Sequence, residues 1–290
     1  MPLLIDGAKC AESIQNEIKQ KVAELKEKDG IVPGLAVVIV GSNPASMVYV
    51  NMKKKACQKC GMNSFEFALK ENSSKQEILK LIHELNNRKD IHGILVQLPL
   101  PKHIDTEEIL FAIDPKKDVD GFNPDNVGRL TIGKPNFVPC TPYGIYKLFE
   151  FYNIHAEGKH VVILGRSNIV GKPMGMLMLQ NTIFANATLT FCHSKTKDIE
   201  KYTKEADIII AAIGKPLFLT ADMVKKGVVV IDVGINRVQD ATLEKGYKIV
   251  GDVDFEKVKE KASAITPVPG GVGPMTITML LYNTLMAVKK

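Results

Sequence analysis

Five short apolar runs recur along the chain: LAVVIV at 35–40, GILVQL at 93–98, VVILG at 161–165, ADIIIAAIG at 206–214 and VVVIDVG at 228–234. Each is rich in β-branched residues and closed by glycine or proline, without the polar alternation of a half-exposed strand. Such runs suit strands buried on both faces, as in a parallel sheet covered by helices. Amphipathic segments fill the intervals. Ala8, Ala11, Ile14, Ile18, Val22 and Leu25 fall at helical spacing behind Asp6, which is placed to cap them. Ser74 and Glu77 form a capping box ahead of Ile78, Leu81, Ile82 and Leu85. Asn43-Pro44 and Thr141-Pro142 each read as a cap followed by proline at the first helical position. The rhythm specifies an α/β fold.

One stretch interrupts it. Residues 114–140, DPKKDVDGFNPDNVGRLTIGKPNFVPC, are dense in Pro, Gly, Asp and Asn and read as a long connection between two α/β units. We therefore expect a first domain of residues 1–138 joined by 268–290, and a second of 139–267. A chain of 290 residues with 45% hydrophobic and 24% charged residues is large enough for two cores.

The net charge of +6 is spread along the chain and mildly favours small anions. Dense basic blocks and zinc-finger spacings are absent, so nucleic acid is not an expected partner. Cys10, Cys57, Cys60, Cys140 and Cys192 are odd in number and unevenly spaced, as reduced thiols of a cytoplasmic protein are. Cys57 and Cys60 form a lone CxxC without further ligands nearby, so no metal is expected. The opening MPLLIDGAK is too short in its apolar part for a signal peptide, and no run reaches membrane-spanning length.

VVILGRSNIVGKPMG at 161–175 is an apolar strand, a glycine turn and the start of a helix. It departs from GxGxxG, yet the physics is related: small residues admit a pyrophosphate to the backbone, and a helix N-terminus donates N–H groups to it. An ordinary strand-to-helix turn is the alternative. The next strand, ATLTF, runs into Cys192-His193-Ser194-Lys195-Thr196. An enzyme selective for NAD usually carries an acid there for the ribose hydroxyls. Here a hydroxyl, a lysine and Arg166 suit a 2′-phosphate, which points to NADP. Taken singly, His193 and Lys195 are equally readable as solvated loop residues.

SNPASMVYVNMKKKACQKCG at 42–61 reads as a helix on which Tyr49 and Lys53 share a face with Ala56, Cys57 and Cys60. Lys53 is the charge on that apolar stripe, whereas Lys54 and Lys55 point elsewhere. A buried amine loses hydration, its pKa falls, and it becomes suited to proton transfer. Pattern alone favours the plainer reading of a solvated or snorkelling lysine. Gln97, at the C-terminal end of a strand, is a polar amide in an apolar run and needs a partner. Asp120 in KDVDGF is by itself a turn-former.

Ten segments, in order, carry a resemblance: PASMVYVNMKKKAC, GILVQLPLP, PKKDVDGFNPDNVG, PCTPYGI, LGRSNIVGKP, CHSKT, ADIIIAAIGKPLF, DVGIN, GDVDF and TPVPGGVGPMT. Together they resemble the bifunctional methylenetetrahydrofolate dehydrogenase/methenyltetrahydrofolate cyclohydrolase family over nearly the whole chain. The resemblance implies two parallel-sheet α/β domains with a cleft between them, the second a Rossmann-like dinucleotide-binding domain, assembled as a homodimer. It implies a helix from about residue 275 packing back on the first domain. It implies Tyr49 against the pterin of a tetrahydrofolate derivative, Lys53 as acid and base, Gln97 holding that lysine, and Asp120 on the pterin. Leu98, Gly270, Gly271 and Pro274 would border the folate, and Gly165, Arg166, Ser167, Ser194 and Ile235 would contact NADP. The rivals are another two-domain NADP oxidoreductase, such as a shikimate dehydrogenase-like enzyme, and a non-enzymatic dinucleotide sensor. The first leaves the YVNMK and PGGVGPMT segments unexplained, and the second would need no lysine–glutamine pair.

Overall fold

The computed structural model describes residues 1–243 and 246–289. By internal contacts the chain divides into two compact units, Glu12–Cys140 with Ile277–Lys290, and Met1–Ala11 with Thr141–Thr276. The sequence reading of an α/β protein with parallel sheets holds in both.

In the first unit, strand Gly34–Val40 lies between Asn63–Leu69 and Gly93–Val96, all parallel. Every residue of the central strand is buried, as its unbroken apolar run requires. Ile78, Ile82 and Leu85 of the helix Lys75–Asn87 pack on Ala36, Val38, Ile94 and Val96. That helix opens with the expected capping box, Ser74 accepting from the Glu77 N–H at 3.2 Å and Glu77 accepting from the Ser74 N–H at 2.7 Å. The helix Pro44–Lys59 starts at its proline, with Asn43 Oδ1 accepting from the Ser46 N–H at 3.2 Å. The helix Gly7–Asp29 opens in the segment Met1–Ala11, which belongs to the second unit, and there Asp6 caps it through the Ala8 and Lys9 N–H groups. GILVQL is strand only over Gly93–Val96, so Gln97 is the first residue past its C-terminal end.

In the second unit, six parallel strands run in the order Thr188–Cys192, His160–Leu164, Ile208–Ala211, Val229–Asp232, Ala264–Ile265 and Leu3–Leu4. From His160–Leu164 the chain moves first to one side and then to the other. The strand order therefore reverses at the turn that follows Leu164, the position where open parallel sheets bind ligands. An antiparallel pair, Asn236–Gln239 with Tyr247–Val250, is appended.

Two expected helix starts lie elsewhere. The helix Cys140–Phe151 begins a residue before Thr141, so Pro142 falls inside the first turn, where its missing N–H costs nothing. The last helix runs Val272–Ala287 and starts earlier than residue 275. Among the described residues no helix is long and apolar enough to cross a membrane.

Close packing fixes one glycine of this unit. A Cβ on Gly175, in the helix Gly171–Met178, would stand 2.1 Å from Phe191 Cζ on the neighbouring strand. Gly175→Ala should cost about 1–3 kcal/mol by overpacking, more than the helix propensity gained. The urea midpoint should fall, and Phe191→Leu in the same chain should recover most of the loss.

Candidate functional site

Lys53 is 9% exposed, while Lys54 and Lys55 on the same helix are exposed. The solvated reading that pattern favoured is overturned here. The helix turns position 53 inward with Cys57 and Cys60, both buried, and Tyr49 half-buried one turn earlier. Lys53 Nζ donates to Gln97 Oε1 at 2.9 Å. Gln97 Nε2 in turn donates to the Leu98 carbonyl at 2.8 Å, which fixes the amide with its oxygen toward the lysine. The Gln97 N–H is itself held by the Val38 carbonyl at 2.9 Å, so the strand end sets the whole relay. Burial lowers the pKa of Lys53; the field of Asp120, and behind it the Cys140 and Cys57 sulfurs, opposes the drop.

Asp120 stands on a loop wound around a second carboxylate. Asp118 is buried and accepts through Oδ2 from the Asn123 N–H at 2.7 Å and from Asn126 Nδ2 at 2.8 Å. The backbone N–H groups of Gly121 and Phe122 also turn toward it. Gly121 has φ +75°, and a Cβ there would meet the Pro139 nitrogen at 2.8 Å, so only glycine lets the loop pass. Asn283 Nδ2, from the last helix, donates to the Val119 and Val138 carbonyls at 2.8 and 3.0 Å and pins the residues that flank the site.

The Cys140 thiol is buried within hydrogen-bonding reach of the Val119 carbonyl, at 3.3 Å, and of the Asp120 carboxyl. Loss of hydration, only partly offset by Lys53, raises Asp120 to about 6. Desolvation and the neighbouring Asp120 push Cys140 well above the usual thiol range.

Lys53, Gln97, Asp120 and Cys140 thus form one polar cluster in an apolar setting, with Tyr49 and Leu98 on the same elements. Cys140, Asp118 and Asn283 were not singled out from the sequence. For Asp118 a signal existed: the crowding of Asp and Asn over 118–126 is what a loop folded around one buried acceptor requires. Nothing comparable marks Cys140 or Asn283.

The expected cofactor residues lie in the other unit. Gly165 ends the strand His160–Leu164 with φ +120°, and a Cβ on it would stand 2.2 Å from the Ala212 carbonyl oxygen. A Cβ on Gly171 would meet the Gly165 carbonyl oxygen at 2.4 Å. Both glycines are therefore fixed by close backbone packing, and the turn between them leads into a helix N-terminus, the kind of site that receives a phosphate. Ser167 Oγ accepts from the Val170 and Gly171 N–H groups at 3.1 and 3.3 Å and organises the entry to the helix. Arg166, Ser194, Lys195 and Ile235 are exposed. His193 Nδ1 accepts from the Lys195 N–H, and the His193 N–H donates to Thr196 Oγ1, so this turn is structured. No acid occurs between Cys192 and Lys197. The donor set at the strand end fits a 2′-phosphorylated dinucleotide.

Gly270, Gly271 and Pro274 belong to this same unit. Gly271 is required by contact, since its Cβ would stand 2.5 Å from the Pro267 carbonyl oxygen. Among the described residues no group of His, Cys, Asp and Glu is arranged to hold a metal ion.

Comparison with known proteins decides what these sites belong to. Residues 5–120 match the tetrahydrofolate dehydrogenase/cyclohydrolase catalytic domain, and residues 139–290 match the NAD(P)-binding domain of the same family. The chain belongs to the tetrahydrofolate dehydrogenase/cyclohydrolase family. It is 56% identical to the Bifunctional protein FolD of Chloroherpeton thalassium over 98% of this chain and 97% of that one. The bifunctional FolD methylenetetrahydrofolate dehydrogenase/cyclohydrolase of Campylobacter jejuni superposes with a TM-score of 0.94 at 53% identity, covering 100% and 99% of the two chains. The Trypanosoma brucei enzyme, solved with NADP cofactor and inhibitor, gives 0.94 at 40% identity over 99% and 97%. Shikimate dehydrogenase 1 of Peptoclostridium difficile reaches 0.51 at 15% identity over 88% and 92%, a likeness of fold alone.

Two outcomes follow from the site geometry. Asp120 changes charge near pH 6, protonated below and anionic above. Folate binding should weaken as pH falls through that value, and the titration should vanish in Asp120→Asn, measured calorimetrically between pH 5 and 8. Arg166→Ala should weaken NADP⁺ binding by about 10- to 100-fold, the worth of a charge-assisted bond, with little change for NAD⁺.

Proposed function

We propose that this chain oxidises 5,10-methylenetetrahydrofolate to the 5,10-methenyl form with NADP and then hydrolyses that product to 10-formyltetrahydrofolate. The single observation that carries this reading is the buried Lys53 amine, held by Gln97 at 2.9 Å beside Asp120. An aminopyrimidine edge is donor-rich and matches the Asp120 carboxylate. Tyr49, one turn before Lys53, offers its ring to the face of the pterin. NADP⁺, when bound at the turn after Leu164, supplies the hydride acceptor. Hydride loss from a carbon between two nitrogens needs no base, so the residues need only hold the folate in line. A neutral Lys53 suits this step, because an ammonium would repel the cation being formed.

Hydrolysis is where the amine acts. Water adds to the cationic carbon, and Lys53 takes a proton from the water. One carbon–nitrogen bond then breaks, and Lys53 returns its proton to the departing nitrogen. The second proton of that water leaves to solvent, so the step balances without a metal. An amine whose pKa is lowered by burial releases and returns a proton more readily than a solvated lysine, as both transfers require. Gln97 holds the amine in place without competing for its lone pair, since its oxygen faces a Lys53 N–H.

We also propose a homodimer and a cytoplasmic setting. Strand Thr188–Cys192 ends the six-stranded order, and Leu179 and Ile183, which precede it in the chain, are 54% and 48% exposed. Ala187, next to that strand, donates to the Met178 carbonyl at 3.0 Å, which ties the end of the helix Gly171–Met178 to the edge strand. All five cysteines are buried and none is joined in a disulfide, in keeping with a reducing compartment.

One cuvette tests the reading. Protein, methylenetetrahydrofolate and NADP⁺ should give reduced cofactor without build-up of the methenyl chromophore, and 10-formyl product. Turnover of shikimate in place of folate would overturn it. Lys53→Met should lower hydrolysis by about 10²–10⁴-fold, the usual worth of a positioned acid or base. Undiminished hydrolysis in a folded Lys53→Met protein would remove the lysine from the mechanism.

A further inference from the structure

A second polar centre lies beneath the loops at the carboxyl end of the larger sheet. Asp232 ends strand Val229–Asp232, and Asp252 follows strand Tyr247–Val250; both are buried. Asp232 accepts from the Gly234 and Asp252 N–H groups through Oδ1, each at 2.9 Å, and from the Val253 N–H through Oδ2 at 3.0 Å. Asp252 accepts from the Ile213 and Gly214 N–H groups through Oδ2, at 2.7 and 2.9 Å, and from Asn236 Nδ2 through Oδ1 at 2.8 Å.

The packing is reciprocal. A Cβ on Gly251 would stand 1.7 Å from Asp232 Oδ2, and a Cβ on Gly234 would stand 2.3 Å from Asp252 Oδ1. Each carboxylate fills the space that a side chain on the other loop would occupy.

Asp252 thereby ties together two ligand-side loops. One follows strand Ile208–Ala211 and the other follows the adjacent strand Val229–Asp232. Both are at the carboxyl ends of parallel strands next to the reversal of strand order, where dinucleotides bind. The second loop carries Ile235, 49% exposed, between Gly234 packed on Asp252 and Asn236 bonded to it.

We propose that Asp252 is a positioning residue for the dinucleotide: through Asn236 and the Ile213–Gly214 backbone it sets where Ile235 and the 213–214 turn meet the cofactor. The inference rests on the reading of Ile235 as a cofactor contact. Its chemistry is donor–acceptor matching. Three donors converge on an acceptor-only group. An amide at 252 satisfies the same partners if the Asn236 amide turns over. A carboxylate at 236 cannot, because it would face another carboxylate. Exchanging the two residues restores one donor and one acceptor.

The test is calorimetric titration of the full chain with NADP⁺, with the thermal midpoint of the cofactor-free protein followed alongside. Asn236→Asp should raise the dissociation constant roughly tenfold, whereas Asp252→Asn and the exchange variant N236D/D252N should stay within about threefold of the parent. In steady state, Asn236→Asp should raise the KM for NADP⁺ while kcat is retained at saturation. Unchanged affinity in Asn236→Asp overturns the proposal. So does a folded exchange variant as weak as Asn236→Asp, or a loss of kcat and of thermal midpoint accompanying the rise in KM. If Asn236→Asp does not fold, the exchange variant decides alone: near-parent affinity supports the proposal, and roughly a tenfold loss with native melting overturns it. Ile235→Ala and Arg166→Ala separate the two layers. If neither alters NADP⁺ binding, the cofactor site itself is misread. If both weaken it while Asn236→Asp does not, only the positioning role falls.

Discussion

The removal of one lysine amine from water is the interaction on which the site depends. A buried ammonium is costly, and the protein offsets the cost in two ways at once. Gln97 supplies a hydrogen-bond acceptor without charge, and Asp120 supplies charge from a loop rather than from a direct ion pair. The result is an amine that gives up its proton more readily than a solvated lysine does. A solvent-exposed lysine at the same helical position would stay protonated and could not serve as a base. A lysine in direct contact with a carboxylate would be held as an ammonium as well.

The supports of this arrangement come from distant parts of the chain. Gln97 is placed by the end of a buried strand, Asp120 by a loop coiled around Asp118, and Cys140 by the start of a helix. Asn283 then bonds the carbonyls on either side, so the last helix holds the loop closed. The polar cluster is small, but Lys53, Gln97, Cys140 and Asn283 each donate to at least one assigned acceptor. That is the condition under which a buried polar network adds rigidity rather than strain.

Much of the fold was legible because its signals are local. Strand runs, the Ser74 box, the Asn43-Pro44 entry and the glycine turn after Leu164 each need only a few neighbouring residues. Pro142 misled by one residue because proline is tolerated throughout a first helical turn. Lys53 marks the limit of that kind of reading. Its helical face was visible, but burial depends on Gln97, Asp120 and Cys140, which are far away in sequence. Pattern therefore pointed to a solvated lysine, and the family resemblance supplied the opposite expectation. Cys140, Asp118 and Asn283 escaped notice for the same reason: each works through a partner that no spacing rule connects to it.

The interlocked aspartates and glycines beneath the 234 and 251 loops have a consequence for how the chain can drift. Neither glycine admits even a methyl group while the opposite carboxylate stays in place. Enlarging one member first meets a wall, and trimming its counterpart first leaves stranded backbone amides. Viable lineages are therefore confined to paths on which both loops are rewritten at once, so this corner of the molecule is expected to change in steps rather than by gradual wandering.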